Sequence, residues 1–149
     1  MPVQDFQCSI TISVPAREIF DKLSRVSEWW VKDFQGSARK PGDAFTVRSG
    51  KTFMDFRVVE IVPDTRIVWQ VTDCNLSWID NKTEWKGTSV IWEISSPNGS
   101  TTLKMTHRGL VPGIECYASC EQGWNYYVMK SLLQFLAEGK GLPDSFRRY

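Results

Sequence analysis

The sequence has a single histidine, no surplus of charge of either sign and no long apolar run, and each shortage removes a class of function. A formal net charge of +1, with Lys and Arg interleaved among Asp and Glu, leaves no basic stripe to track a phosphate backbone, so no nucleic acid is expected as a partner. No stretch approaches the roughly 20 apolar residues of a membrane span, which predicts no membrane insertion. The opening MPVQDFQCSI lacks the basic-then-apolar run of an export signal, which points to a cytoplasmic setting. Cys8, Cys74, Cys116 and Cys120 contain no CxxC pair and are expected as reduced thiols. Cys116 and Cys120 are four apart, so a metal site with His107 and another cysteine is conceivable, but the spacing is not that of a ligand set. There is also no Gly-rich phosphate loop, no GxSxG elbow and no recognisable Ser-His-Asp spacing, and no cofactor is expected.

What the chain has in quantity is aromatic side chains. At 149 residues with 42% apolar content it is large enough for one self-sufficient core, read as a single domain over residues 1–149, and its seven tryptophans exceed what a core of that size needs. Tyr117 to Glu138 is the one long segment with helical periodicity: Cys120, Trp124, Tyr127, Val128, Ser131, Leu132 and Phe135 share a face, with Gln122, Lys130 and Gln134 opposite. Gly139 and Gly141 followed by Pro143 end it after about six turns.

Upstream, Phe6, Cys8, Ile10, Ile12 and Val14 alternate with polar residues and predict a strand. Pro15 opens a short helix to about Leu23, and a second short helix is expected over Val26 to Val31, capped by Ser24 or Ser27 and carrying a Trp29-Trp30 pair too large to leave in water. Phe34 to Asp43 reads as a loop. Strands are expected at Phe45 to Arg48, Thr52 to Val62, Arg66 to Thr72, Thr83 to Ile94 and Thr101 to Arg108, with turns at Ser49-Gly50, Pro63-Asp64 and Pro97-Asn98-Gly99. Between them, Asp73 to Lys82 is a loop that folds Leu76, Trp78 and Ile79 inward. The fold class is α+β: a curved antiparallel sheet of about six or seven strands wrapped around one long C-terminal helix, with two short helices after the first strand. Curling a sheet over one helix leaves a space between them, and that space is the candidate binding site.

The stretches SVPAREIFDKLS, WKGTSVIWEI with TTLKMTHRGL, and GWNYYVMKSLLQFLAEGKGLP resemble the activator of heat-shock ATPase homologue-like group of the START-like, or SRPBCC, helix-grip superfamily. The resemblance covers nearly the whole chain. It implies the helix-grip fold and, from relatives that hold lipids, aromatic polyketides or plant hormones under the long helix, a small, mostly apolar ligand. A cyclase- or dehydratase-like enzyme is the alternative. A chaperone-interacting or regulatory module is a third reading, although the docking domain of the eukaryotic co-chaperone is not seen in this sequence. A homodimer is compatible with all three.

The residues expected to border the ligand are aromatic or inward-facing. Trp124 and Tyr127 lie on the helix face, with Ser131 as a small inward residue at mid-helix, and Trp78, Trp85, Trp92 and Tyr117 are placed to wall or roof the space. Tyr and Trp each carry a polar tip that can orient a ligand bearing a few oxygens. Met105 and His107 share a face of the last strand; His107 is either a proton shuttle or a strand histidine satisfied within the core. Glu121, one turn into the helix, is either a ligand contact and base or a carboxylate favoured by the helix dipole.

Overall fold

The computed structural model describes residues 4–96 and 99–146. Strand β1 (Phe6–Ile12) keeps the predicted alternation, with Phe6 and Ile10 buried and Gln7, Ser9 and Thr11 pointing outward. Pro15 is the N-cap of α1 (Ala16–Leu23), which buries Ile19 and Leu23. Helix α2 (Val26–Trp29) ends two residues before the expected Val31, where the Trp30 carbonyl accepts the Asp144 N–H at 2.9 Å. Neither serine caps it. Arg25 holds the N-cap position, the Ser24 hydroxyl donates back to Asp21 O at 2.8 Å, and Ser27 lies inside the helix.

Within the expected loop, Phe34–Gly36 forms a short strand, β2, on β3 (Ala44–Ser49). Three residues at a sheet edge are too few to show a period. Strand β4 (Thr52–Val62) has the expected bounds, whereas β5 (Arg66–Asn75) continues past Thr72 because Cys74 and Asn75 still pair with Met54 and Phe53. Strand β6 (Ser89–Ser95) starts later than Thr83: the preceding residues turn, with Lys86 N donating to Thr83 O and Gly87 at φ +87°. Strand β7 is Thr101–Arg108. Of the expected turn before it, Pro97 and Asn98 lie outside the described residues.

The seven strands form one antiparallel sheet in the order β1-β7-β6-β5-β4-β3-β2. The β4–β5 register breaks twice, between Asp55 and Phe56 and between Val58 and Glu60, and bulges of this kind bend a sheet. The C-terminal helix then runs as α3 (Tyr117–Tyr126), a π-helical segment (Tyr127–Leu132) and α4 (Leu133–Glu138), closed by Gly139 in the left-handed conformation at φ 83°. Cys120, Trp124, Val128, Leu132 and Leu136 are all buried, a spacing of four throughout. An ideal α-helix would let that series drift by about 160° over four steps. The wider π turn at mid-helix takes back part of the drift and keeps the series on one side.

The helix packs along β1, and α2 packs on the π segment. On the other side, Trp29, Trp69 and Trp92 meet edge to face at 5.7 and 5.3 Å and fill the centre of the sheet. This is the helix-grip arrangement. Among the described residues, no helix is long and apolar enough to cross a membrane.

Ser131 is fully enclosed at the junction of three elements. Its hydroxyl donates to Trp29 O at 2.6 Å and accepts the Leu142 N–H at 2.8 Å, which ties the π segment to α2 and to the chain beyond the helix. Gly141 makes the same approach: a Cβ there would stand 2.5 Å from Glu28 O. Ser131→Ala strips the partner from two backbone groups and should lower unfolding free energy by about 2 kcal/mol, measured by urea denaturation.

Candidate functional site

Because the helix leans toward β1, the opposite end of the sheet has to be covered by other segments. Trp30 and Val31 come from the end of α2, and Ser49, Thr52 and Met54 from the β3–β4 hairpin. Ser77, Trp78 and Trp85 belong to the connection between β5 and β6. These segments, with Cys120, Gly123, Trp124 and Tyr127 of the helix and Asp144 and Phe146 beyond it, line a half-open cavity of about 280 Å³. A groove of about 590 Å³ on the outer surface, between Ser27–Lys32 and Lys140–Ser145, is larger but has no aromatic wall.

The rings of the cavity are held by polar contacts behind them. Trp124 Nε1–H donates to His107 Nδ1 at 3.0 Å, which leaves the proton of the neutral imidazole on Nε2, where it is donated to Thr88 Oγ1 at 2.9 Å. The Thr88 hydroxyl in turn donates to Trp85 O at 2.6 Å. His107 therefore fixes both Trp124 and the Trp85 segment, and it stands edge-on to the Trp85 ring at 4.6 Å. Burial pushes its pKa down to about 3, so it is uncharged near neutrality. Trp85 and Trp124 lie parallel, with centroids 6.0 Å apart and planes within 6°.

Two carboxylates lash the β5–β6 connection to the start of α3. Glu84 accepts the N–H groups of Glu115 and Cys116, each at 2.8 Å, which places its carboxylate just ahead of the helix. Glu115 reciprocates by accepting Asp80 N–H at 2.7 Å and Asn81 N–H at 2.9 Å, bonds that hold its carboxyl below the usual range. Trp78 Nε1–H donates to Ser119 Oγ at 2.9 Å and Trp85 Nε1–H to Cys116 Sγ at 3.3 Å. The thiols of Cys116 and Cys120 lie side by side, and that contact, followed by burial, pushes the Cys116 thiol up. Cys116 is thus a poor thiolate. Among the described residues no group of three or more His, Cys, Asp or Glu is placed to hold a metal ion.

Beyond Gly139 the chain folds back over one end of the cavity. Asp144 N–H donates to Trp30 O, Lys32 N–H donates to Asp144 Oδ2 at 3.0 Å, and Phe146 N–H donates to the Tyr127 hydroxyl at 3.3 Å. At the opposite end Thr52 Oγ1 and Ser77 Oγ meet at 2.5 Å.

Of the residues singled out in the sequence, Trp78, Trp85, Trp124 and Tyr127 line this cavity. Trp92 and Met105 do not: they face inward from the central strands, where Trp29 and the helix cover them completely. His107 lies one layer behind the wall and Ser131 in a closed junction, so neither reaches the cavity. Tyr117 and Glu121 pair with each other, the hydroxyl donating at 3.3 Å. They lie about 100° around the helix from the cysteines that precede them, and so turn away from the cavity. Sequence reasoning missed Trp30, the hydroxyls at Ser49, Thr52 and Ser77, and the returning pair Asp144 and Phe146. An aromatic residue soon after Pro143 was the available signal for that return.

The family model described as Activator of Hsp90 ATPase homolog 1-like protein matches residues 13–137. Among curated proteins none matches the sequence. Among solved structures, the Aha1 dimer from Colwellia psychrerythraea is similar at TM-score 0.75 and 22% identity, over 92% of this chain and 98% of that one. Mll3558 from Rhizobium loti is similar at TM-score 0.71 and 18% identity, over 91% and 97%. DynU16, from the dynemicin biosynthetic locus, is similar at TM-score 0.68 and 20% identity, over 94% of this chain but 49% of that one. At these identities the structural likeness speaks for the fold alone.

Proposed function

The chain belongs to the Activator of Hsp90 ATPase homolog 1-like family, with a helix-grip fold of the kind that holds small hydrophobic molecules between sheet and helix, and from that premise we propose that it binds a small, ring-containing ligand. The observation that carries this reading is the cavity itself. Its volume of about 280 Å³ suits a molecule of two or three rings, and its lining combines Trp30, Trp78, Trp85, Trp124, Tyr127 and Phe146 with the hydroxyl-bearing Ser49, Thr52 and Ser77. Trp and Tyr walls give a ligand large contact area at little entropic cost.

The neutral fluorophore N-phenyl-1-naphthylamine should bind saturably at about one per chain with micromolar affinity, a free energy of about 8 kcal/mol. Energy transfer from tryptophan to the bound probe reports its place. Trp78→Ala removes a half-buried wall and should weaken the probe about tenfold while costing only about 1 kcal/mol of stability. Probe binding that is absent, or unaltered in Trp78→Ala, would contradict the reading.

An enzyme of cyclase or dehydratase type is the second reading, favoured by the likeness to a protein of a biosynthetic locus. It calls for proton-moving groups at the cavity wall, where the described lining offers Asp144, Tyr127 and Cys120. The dimeric Colwellia relative supports a homodimer here as well, which light scattering at micromolar concentration tests directly.

A further inference from the structure

Resting on the homodimer proposed above, we infer that two copies of this chain join through β1, edge to edge and antiparallel, into one continuous sheet. β1 stands at the end of the strand order, so one side of its backbone has no strand partner among the described residues. A row of unpaired N–H and C=O groups is a template for another strand, and proteins blunt it with charge, proline, bulges or brevity. The two edges of this sheet differ in that respect. β2, at the far edge, has only the three residues Phe34–Gly36, with Lys32 and Asp33 just before it and Arg39 and Lys40 soon after. β1 has seven, FQCSITI, without charge or proline, and its register on β7 runs unbroken from Phe6 opposite His107 to Ile12 opposite Thr101.

Such a strand fits a second copy of itself. Two identical strands paired antiparallel are related by a two-fold axis perpendicular to the sheet, and that symmetry closes as a dimer. Each residue then lies opposite or diagonal to residues of the same uncharged strand, so no like charges meet across the axis. The outward side chains Gln7, Ser9 and Thr11 are exposed, and the Thr11 hydroxyl already meets that of Thr102 across the β1–β7 pair at 3.0 Å. Ser and Thr of a second β1 offer contacts of the same kind on the open side.

The helix gives an independent ground. Ser131 turns toward α2, bonding Trp29 O, and the Trp29 ring meets Trp92 of β6. Met129 comes two residues earlier, about 200° around the helix, and so looks away from α2 and out past β1. It is 47% exposed, a large apolar side chain left in water on the segment that runs along the open edge. A two-fold axis perpendicular to the sheet keeps both C-terminal helices on one side of it, which brings Met129 of each copy toward the partner's helix. The β3–β4 hairpin that borders the cavity lies toward the far edge, and pairing at β1 leaves it uncovered.

Sedimentation of the full chain tests this. The wild type should be a dimer at micromolar concentration. Ser9→Lys and Ser9→Glu set a charge close to its own symmetry mate, and each alone should raise the dimer dissociation constant at least about tenfold. An equimolar mixture of the two should dimerise within about threefold of wild type, because opposite charges then face each other, and a variant that merely loosened β1 would not be rescued by mixing. Gln35→Lys on β2 should leave the constant within about twofold. A wild type that stays monomeric up to about 100 μM overturns the dimer and this inference together and leaves the ligand site standing. A wild-type dimer that neither Ser9 variant weakens, or a mixture that stays monomeric, overturns the pairing at β1 and leaves the dimer. If both Ser9 variants fold poorly, amide exchange of the wild type decides: the outer N–H groups of β1 should exchange at least about tenfold more slowly above the dissociation constant than below it. Exchange in β1 that is the same at both concentrations overturns the pairing.

Discussion

Lowering the pH from 6.5 to 3 should cost the folded state about 4 to 5 kcal/mol through His107 alone. The imidazole is completely buried, and its neighbours Trp85, Trp124 and Thr88 are uncharged. Burial holds its pKa at about 3, against 6.5 for an ordinary histidine. Below pH 6.5 the unfolded chain therefore takes up a proton that the folded chain refuses, so stability is full above 6.5, falls with pH, and stops falling through this group near 3. Protonation at Nδ1 would also set a second donor against the Trp124 N–H. Glu115 and Asp43 add losses of the same sign at lower pH. Bonds from the Asp80 and Asn81 N–H groups hold the Glu115 carboxyl below its usual value, and the Ser37 hydroxyl does so first for Asp43. The window from pH 6.5 to 5 isolates His107, and urea denaturation there should show a slope that steepens from about 0.7 kcal/mol per pH unit at 6.5 to about 1.3 at pH 5. His107→Gln should be less stable at pH 7 and flat across the window. A flat wild-type profile would mean that the imidazole takes up its proton as readily in the fold as in the unfolded chain.

Phe135→Ala should cost about 3 to 5 kcal/mol, the range of a large-to-small change in a closed core. Phe135 is buried in α4, which packs on β1 and α1, within the same core as Leu103 and Met105 of β7. The Lys22 ammonium lies over its ring at 5.4 Å, a cation–π attraction that truncation to Ala also removes. Since the site lies at the other end of the helix, the variant should keep probe affinity while its unfolding midpoint drops. A loss below about 1 kcal/mol would contradict the grip of helix on sheet.

Periodicity made the fold legible, and its limits made the site only half so. The bounds of the long helix follow from an apolar stripe and a Gly stop, and the π turn was written there too, as buried residues spaced by four at Cys120, Trp124, Val128, Leu132 and Leu136. The strands β1, β4 and β7 alternate cleanly. Alternation tells which side of a sheet a residue faces and not how deep it lies. By alternation Trp92 is equivalent to the wall tryptophans, but Trp29 of α2 meets it edge to face and seals it. Trp30 follows Trp29 directly, yet a chain that leaves the helix at that point turns the second ring to the cavity. Asp144 and Phe146 follow the helix stop, in a stretch without period, and what places them is a set of backbone bonds to Trp30, Lys32 and Tyr127.

The central claim is that this chain holds a small aromatic molecule in the cavity behind the helix, and its seven indole N–H resonances report on that most directly. Trp30, Trp78, Trp85 and Trp124 line the cavity, whereas Trp29, Trp69 and Trp92 are sealed in the core. In a nitrogen–proton correlation spectrum, titration with N-phenyl-1-naphthylamine should move the first four saturably and together, with the three core signals changing least. An unchanged spectrum at saturating probe, or shifts confined to residues outside the cavity, would contradict the account.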